Sequence, residues 1–352
     1  MVQDHLQSLS HNHEALRHKL DRQVVRAAVK QKAAANCTEK PSRLICAEIR
    51  KAETHEATLD HTDMKLLREA AYRARRRILP RLPKSREDVH KILASSASLT
   101  TTNRGESFVL ANDSSMGVVV LSCASNVSFL CTLDKIFMDG TFRSCTKYFK
   151  QLFTIHGLRN GIYVPLVFSL LPSKEETRYL KVMQFVKQAA AEAGKTFEPT
   201  TVVVDFETAI HNAVRLSWPN ANIVGCRFHL GQAWWRKIQK LGLSPSFKRE
   251  NSEVGLWLKQ VYGLPYLPPS EVADCFVFDM CSEAPREEKL RLFMDYLVDE
   301  YIKDGSRFPP EMWAEMTDNM QNTTNACESF HSRFNGCFYS PHPDVFRFLS
   351  VL

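Results

Sequence analysis

Two short apolar runs each end in an acidic residue, and no other feature of this 352-residue chain restricts its fold as much. Asp139 follows the run KIFM, and Asp205 follows the run TVVV. Short apolar runs of this kind are typical of buried strands. A strand would deliver the acidic residue that follows it to the edge of a sheet, so we expect a sheet with carboxylates at its edge.

A third acidic residue, Glu328, lies in the polar phrase TTNACESFH. This phrase predicts the start of a helix, with residues 322–325 as its capping residues. Carboxylates brought together from distant segments are the ligands that hard divalent cations prefer. Two such ions would suit phosphodiester chemistry. A single acid is more often a solvated or capping residue, so the surrounding phrases carry the metal-ligand interpretation.

The order of predicted elements is typical of a mixed sheet with helices packed on it. An Asn160-Gly161 turn predicts a hairpin, because Asn-Gly is the strongest short hairpin signal. The hairpin strands are predicted at 148–158 and 162–170. The other strands are predicted at 107–110, 117–122, 135–138, 200–204 and 223–226, and the helices of this region at 175–194, 208–216 and 231–241.

The pattern divides the chain into three parts. Residues 1–100 are a basic, helical N-terminal region that could bind DNA, with a clear helix over 61–80 and a polar linker at 95–103. The sequence of residues 1–36 is compatible with either a loose helix or disorder, and both alternatives stay open. Residues 101–242 are the predicted mixed-sheet core, and the pattern is mainly helical over 243–320.

Charge is concentrated at the start of the chain. Residues 1–100 carry 20 basic and 12 acidic side chains, which favours a polyanionic partner for this region. Four arginines cluster at the end of the helix over 61–80: Arg73, Arg75, Arg76 and Arg77. They could complement the helix dipole, contact DNA phosphates or form part of a nuclear-import signal, and these alternatives stay open.

Nothing in the sequence predicts a membrane or secretory context. The first residues are polar and lack the apolar stretch of a signal peptide. The longest apolar stretches are too short to cross a bilayer. The ten cysteines are scattered, so we expect thiols in a reducing compartment.

Four segments carry a further signal: MDGTFRSCTKYFKQLFTIHG, YVPLVFSLLPSKEETRYL, VVVDFETAIHNAVRLSWPNANIVGCRFHLGQAWWRKIQKLGL and NTTNACESFHSRFN. Together they resemble the catalytic domain of Mutator-like element (MULE) transposases, most closely the animal members associated with FLYWCH-type zinc fingers. The resemblance runs from about Asp134 to the end of the chain. It implies an α/β, ribonuclease H-like fold, with a core formed by 101–242 and 321–352 and a helical insertion at 243–320.

The resemblance also implies a site and an activity. Asp139, Asp205 and Glu328 would be the catalytic and metal-binding residues, holding two Mg²⁺ or Mn²⁺ ions. The activity would be cleavage and transfer of DNA strands, acting on transposon ends and target DNA in the nucleus. A homodimer or a higher oligomer is possible, and the sequence leaves the oligomeric state open.

One Cys-x-x-His motif follows the second acid, formed by Cys226 and His229. A structural zinc site needs four ligands, and no second pair with suitable spacing is present, so zinc is not supported. In MULE transposases the motif recurs at this place, which implies that His229 positions DNA near the metals. The alternative is a buried core cysteine and an interior histidine.

Several further residues are candidates for DNA binding: Trp234, Arg236, Lys237, His331 and Arg333. Adjacent Trp234 and Trp235 could stack on a displaced base, but core packing is the favoured interpretation for this pair. His331 and Arg333 follow Glu328 at near one-turn spacing and could face DNA.

Other classes of enzyme lack their motifs here. The sequence contains no Gly-x-Ser-x-Gly elbow, no phosphate-binding glycine loop and no HExxH motif. Two alternatives to an active transposase stay open: a domesticated or truncated relative that binds DNA without cleaving it, and a general nuclease. The absence of a FLYWCH-like finger and the end of the chain soon after Glu328 favour the first of these.

Overall fold

The computed structural model describes residues 17–37, 39–51, 61–315 and 325–352. The described chain is α/β, with a seven-stranded mixed sheet. It forms two compact units. The first contains the described part of Met1–Leu82 with Gly336–Ser340 and Phe346–Leu352. The second contains the described part of Pro83–Asn335 with Pro341–Val345, and it holds the whole sheet.

The strands are β1 (Val109–Asp113), β2 (Val118–Leu121), β3 (Lys135–Thr141), β4 (Gln151–Arg159), β5 (Ile162–Leu171), β6 (Thr201–Val204) and β7 (Asn222–Gly225). Their order across the sheet is β1-β2-β5-β4-β3-β6-β7. β6 pairs in parallel with both β3 and β7, and the other neighbours are antiparallel. The predicted mixed sheet is confirmed.

The helices are α1 (Arg17–Ala35), α2 (Pro41–Lys51), α3 (His61–Ile78), α4 (Arg86–Ser95), α5 (Ala124–Leu130), α6 (Glu176–Glu192), α7 (Thr208–Ser217), α8 (Arg227–Lys240), α9 (Ser244–Lys248), α10 (Glu253–Val261), α11 (Pro269–Asp274), α12 (Glu288–Leu297), α13 (Asn325–Gly336) and α14 (Val345–Val351). Short 3₁₀ or π turns occur at Ala97–Leu99, Leu264–Tyr266, Cys275–Met280, Val298–Ile302 and Pro310–Met312.

The hairpin between β4 and β5 forms where Asn-Gly predicts it. Asn160 has a φ of 53° and Gly161 a φ of 76°. A two-residue hairpin turn with both central residues at positive φ matches the right-handed twist of the flanking strands. This turn places β4 in the middle of the sheet, directly beside β3.

Helix α6 covers one face of the sheet because its apolar residues recur every three or four positions. Tyr179, Met183 and Val186 are buried in the same cluster as Val202 and Val204 of β6. Side chains alternate along a strand, so the residue between the two valines points to the opposite face. Val203 does pack there, in a separate cluster with Phe137 of β3.

The described part of 243–320 is helical and carries its own apolar core. Trp257, Phe293 and Trp313 are buried in it, together with Trp234 of α8. The indole N–H of Trp257 donates to the carbonyl oxygen of Met280 at 2.7 Å. Through this core, helices α9 to α12 pack on α8, the helix that follows β7 in the chain.

The first unit is built on helices α1, α2 and α3. Val29, Ile45 and Ala71, one from each helix, are fully buried between them. The helix predicted over 61–80 is confirmed as α3. For residues 1–36, the structure shows a helix from Arg17 onward, and residues 1–16 lie outside those described.

Some local predictions were wrong. Helix α8 begins at Arg227, four residues before the predicted start at Gly231. Helix α4 was not predicted, although Ser85 caps it by accepting a hydrogen bond from the N–H of Asp88 at 3.2 Å. The stretch 95–103 is not an extended linker, because it holds a 3₁₀ turn and a bridge to Ser107. Short helices have too few apolar positions to show a period.

Candidate functional site

Asp139 lies two residues before the carboxyl end of β3, and Asp205 directly follows the parallel strand β6. β3 and β6 are in register, with Phe137 opposite Val203, so the residues two positions further on are at the same level. Neighbouring strands are about 4.8 Å apart. Asp139 is only 3% exposed, and Asp205 is partly buried. The sheet therefore brings the first two predicted acids together.

Asp139 is held from three directions. Its Oδ2 lies 3.0 Å from Nδ1 of His331, and its Oδ1 lies 3.8 Å from Nε2 of His229. The backbone N–H of Gly140 donates to Oδ1 at 2.7 Å. Burial raises the pKa of Asp139, but the hydrogen bond and charge of His331 outweigh it, so that pKa lies below its usual value. The carboxyl group is thus kept ionised.

Asp205 is in a different electrostatic environment. Burial raises its pKa to about 7, with the negative charges of Glu207 and Asp139 adding to the effect. Its side chain accepts a hydrogen bond from the backbone N–H of Glu207 at 3.2 Å. Glu207 forms an ion pair with Lys174 and accepts a 2.9 Å hydrogen bond from the hydroxyl of Tyr179. Three carboxylates therefore crowd this end of the sheet.

Gly140 is required by a close contact. A Cβ at this position would lie 1.6 Å from Nε2 of Gln151. Gln151 is fixed in turn, because its Oε1 accepts a 2.8 Å hydrogen bond from Tyr179. The glycine therefore lets Gln151 and Tyr179 pack directly behind the residue that follows Asp139.

Helix α13 carries Glu328 and reaches the site through His331. Nε2 of His331 lies 2.9 Å from Oγ1 of Thr154, and Nε2 of His156 lies 2.8 Å from the same oxygen. His331 is 5% exposed, so it packs inside the protein beside Asp139. Position 328 is three residues earlier on the same helix, and residues three apart share one side of a helix. The side chain of Glu328 and the predicted caps at 322–324 lie outside the described part of the chain.

The Cys-x-x-His motif lies at the start of α8. Cys226 occupies the N-cap position and is fully buried with Phe137, Val203 and Cys327. His229 is one turn further on and approaches Asp139, and burial lowers its pKa. The cysteine is a core residue, and the histidine lies beside Asp139. That His229 positions DNA stays a prediction.

Residues 135–233 match the MULE transposase domain. The matched segment includes Asp139, Asp205, Cys226 and His229, and it ends before Glu328. The match covers less than a third of the chain and does not distinguish the FLYWCH-associated type, which stays a prediction. No curated protein matches the chain.

The MULE transposase domain suggests a transposase-related, nuclease-type function, DNA binding in general and the use of divalent metal ions. Among the side chains that the structure describes, no three His, Cys, Asp or Glu residues form a group that could hold a metal ion. No described helix is long and apolar enough to span a bilayer. The roles of individual residues in metal or DNA binding thus stay predictions.

Trp234 lies within the apolar core of the insertion and is 1% exposed, as the core-packing interpretation predicted. Trp235 packs on Phe247, with 5.0 Å between the ring centroids. The two cations that follow have local contacts. Arg236 donates to Gln232 at 3.0 Å, and Nζ of Lys237 lies 4.6 Å from the ring of Tyr296. Trp234 is therefore not placed to stack on a base.

The basic cluster of α3 is divided between the interior and the surface. The guanidinium of Arg75 is buried and donates to the carbonyl oxygens of Ala33 at 3.2 Å, Asn36 at 2.8 Å and Glu39 at 2.5 Å. The other three arginines are exposed, and Arg73 pairs with Glu69 at 3.1 Å. Arg75 therefore holds the first unit together, and DNA contact by its neighbours stays a prediction.

Two residues at the site were not identified from the sequence. Thr154 and His156 of β4 line up behind His331, and burial lowers the pKa of His156 to about 3. Their sequence signal is weak: polar residues at alternate positions of an otherwise apolar strand, FTIHG. Alternating polar residues in a central strand point to a buried polar site.

Proposed function

We propose that this protein is a MULE-type transposase that cleaves DNA strands and transfers them by metal-dependent phosphoryl transfer. The observation that carries the proposal is the placement of Asp139 and Asp205 near the carboxyl ends of two adjacent parallel strands, each two positions beyond the paired residues Phe137 and Val203. Helix α13 adds support, because His331 docks it against Asp139 and Glu328 lies one turn earlier. The matched MULE transposase domain covers both strands.

The sheet supports a ribonuclease H-like fold as part of this proposal. Antiparallel strands β4 and β5 lie on one side of β3, and parallel strands β6 and β7 lie on the other. Helices α6 and α7 precede and follow β6 in the chain. This arrangement agrees with the mixed sheet and flanking helices expected from the sequence resemblance.

Asp139, Asp205 and Glu328 would hold two Mg²⁺ or Mn²⁺ ions. The donor chemistry fits, because carboxylate oxygens suit hard cations, and the carboxylates of Glu207 and Asp139 lie near enough to Asp205 to help raise its pKa. When bound, the ions would lower the pKa of a water or a DNA hydroxyl and neutralise charge on the departing oxygen.

The chain's own residues prepare this site. His331 and the N–H of Gly140 fix both oxygens of the Asp139 carboxylate. The N–H of Glu207 orients Asp205, and Lys174 together with Tyr179 orients Glu207. Because these contacts already hold the ligands in position, little free energy is needed to order them when a metal ion binds.

The proposed partners are transposon ends and target DNA, and the proposed location is therefore the nucleus. Joining two ends would require two copies of the site, so we propose a homodimer or higher oligomer. The excess of basic residues in 1–100 and the exposed arginines of α3 would attract the DNA backbone.

Nicking of supercoiled plasmid DNA with Mg²⁺ or Mn²⁺ tests the proposal. We expect Asp139→Asn, Asp205→Asn and Glu328→Gln each to reduce nicking at least about 100-fold. Asp295→Asn is the matched control, because Asp295 is an exposed acid of α12. A folded wild-type protein that binds DNA but never nicks it would favour the non-cleaving alternative. Nicking that survives all three substitutions would show that the active site lies elsewhere.

A further inference from the structure

An exposed aromatic residue lies beside the acidic site. Phe142 directly follows the last residue of β3 and is 44% exposed. It is three residues after Asp139, a span of at most about 11 Å along the chain. Trp234, one of the two tryptophans that the sequence offered for base stacking, is buried. Phe142 is thus an aromatic surface at the place where DNA would be cleaved.

Contacts through Lys174 and Glu207 connect the Phe142 ring to Asp205. Nζ of Lys174 lies 5.1 Å from the centroid of the Phe142 ring. Lys174 also pairs with Glu207, whose N–H donates to Asp205 at 3.2 Å. The ring therefore lies at the Asp205 side of the site, while the chain connects it to Asp139.

The loop that carries Phe142 is basic and held in place. Residues 142–150 contain no acid, and their cations are exposed: Arg143, Lys147 and Lys150. The carbonyl oxygen of Arg143 accepts from the N–H of His342 at 2.9 Å. The N–H of Lys147 donates to the carbonyl oxygen of Pro343 at 3.2 Å. An aromatic ring on a basic loop whose backbone is held in place is a combination that can bind single-stranded nucleic acid.

Charge distinguishes Phe142 from Phe278, a more exposed phenylalanine. Phe278 is 70% exposed in the helical insertion, but its near neighbours in sequence include Asp274 and Asp279. Acidic surroundings repel a DNA backbone, whereas the cations around Phe142 attract it. A single exposed apolar residue does not by itself indicate a function. Phe278 is such a residue and serves as the control for Phe142.

We propose that Phe142 stacks on an unpaired DNA base next to the phosphodiester that is cleaved. Lys174 and Arg143 contact the phosphates on either side of that base. The proposal deepens the function proposed above and rests on DNA being the substrate. Stacking is tolerant of sequence because every base has an aromatic face, so Phe142 orients the strand without selecting its sequence.

The test uses the full chain and single-stranded oligonucleotides that contain 2-aminopurine, whose fluorescence reports stacking. Binding is measured without divalent metal, so that no DNA is cut. We expect Phe142→Leu to weaken binding about 5- to 100-fold and to abolish the fluorescence change. Phe142→Trp should retain both signals, and Phe278→Leu should behave as wild type. Duplex binding should change less than single-strand binding.

Binding and fluorescence that are identical in Phe142→Leu and wild type would overturn the stacking proposal. Metal-dependent nicking, measured in parallel, separates this failure from failure of the proposed function. Nicking without any effect of Phe142 on base fluorescence contradicts stacking alone. A Phe142-dependent fluorescence change without nicking supports stacking and contradicts cleavage.

Discussion

Nδ1 of His331 lies 3.0 Å from Oδ2 of Asp139, and this contact joins helix α13 to strand β3. It brings a segment near the end of the chain to the centre of the sheet. Nε2 of the same ring contacts Thr154 of β4, so the imidazole is held on both sides. His331 thus positions the Asp139 carboxylate and docks the helix that carries Glu328.

Replacing His331 should therefore weaken the site more than the fold. We expect His331→Ala to lower metal-dependent nicking about 10- to 100-fold and to raise the Mn²⁺ concentration needed for half-maximal activity. Ser332→Ala, at an exposed neighbouring position of α13, is the control. Unchanged Mn²⁺ dependence in His331→Ala would contradict a positioning role.

Gly140 should not tolerate even one added carbon atom. We expect Gly140→Ala to lower the free energy of unfolding by about 1–3 kcal/mol, because its Cβ would collide with Gln151. Denaturant titration measures the loss. Gly336→Ala is the control, since nothing lies within 4 Å of a Cβ there. If the clash is the cause, Gln151→Ala in the same chain should restore part of the stability. If Gln151→Ala restores none of the stability that Gly140→Ala loses, the clash with Gln151 is not the cause of the loss.

His156 should make the fold sensitive to acid. Its pKa is lowered to about 3 by burial and by His331, whereas an unfolded histidine titrates near about 6.5. Below pH 6.5 the unfolded chain takes up a proton that the folded chain does not. The His156 contribution to the free energy of unfolding therefore falls by about 1.4 kcal/mol per pH unit down to about pH 3.

In the variant His156→Phe, the free energy of unfolding should fall less steeply as the pH is lowered, because the contribution of His156 is missing. Urea titrations of both proteins between pH 7 and pH 4.5 would show it, since other histidines contribute equally to each. Parallel curves for the two proteins would mean that His156 is protonated in the folded state.

Trp234 should matter for stability and not for DNA binding. We expect Trp234→Ala to cost about 3–5 kcal/mol, because the ring is buried among the aromatic residues of the insertion. Trp234→Phe keeps most of the packing and should bind DNA as wild type does. Weaker DNA binding by a folded Trp234→Phe variant would show that Trp234 contributes to DNA binding.

Local signals explain what could be predicted. The Asn160-Gly161 turn and the apolar run before Asp205 each contain the information for their own structure, and both appear where expected. The start of α8 was misplaced because Cys226 and His229 were interpreted as a motif and not as a helix start.

Contacts between distant segments could not be predicted. The sequence offered His331 for DNA contact, and its burial against Asp139 depends on how α13 docks. The need for a glycine at 140 depends on Gln151 and Tyr179, which no local pattern relates to it. The third acid, Glu328, stays a prediction supported by its place on α13.

The most direct test of the metal site is a Mn²⁺ binding titration of the purified full chain, followed by electron paramagnetic resonance. We predict two bound Mn²⁺ ions in the wild type, and loss of at least one in each of Asp139→Asn, Asp205→Asn and Glu328→Gln. Circular dichroism would confirm that the variants stay folded. Folded variants that bind the same number of ions with the same affinity as wild type would contradict the account.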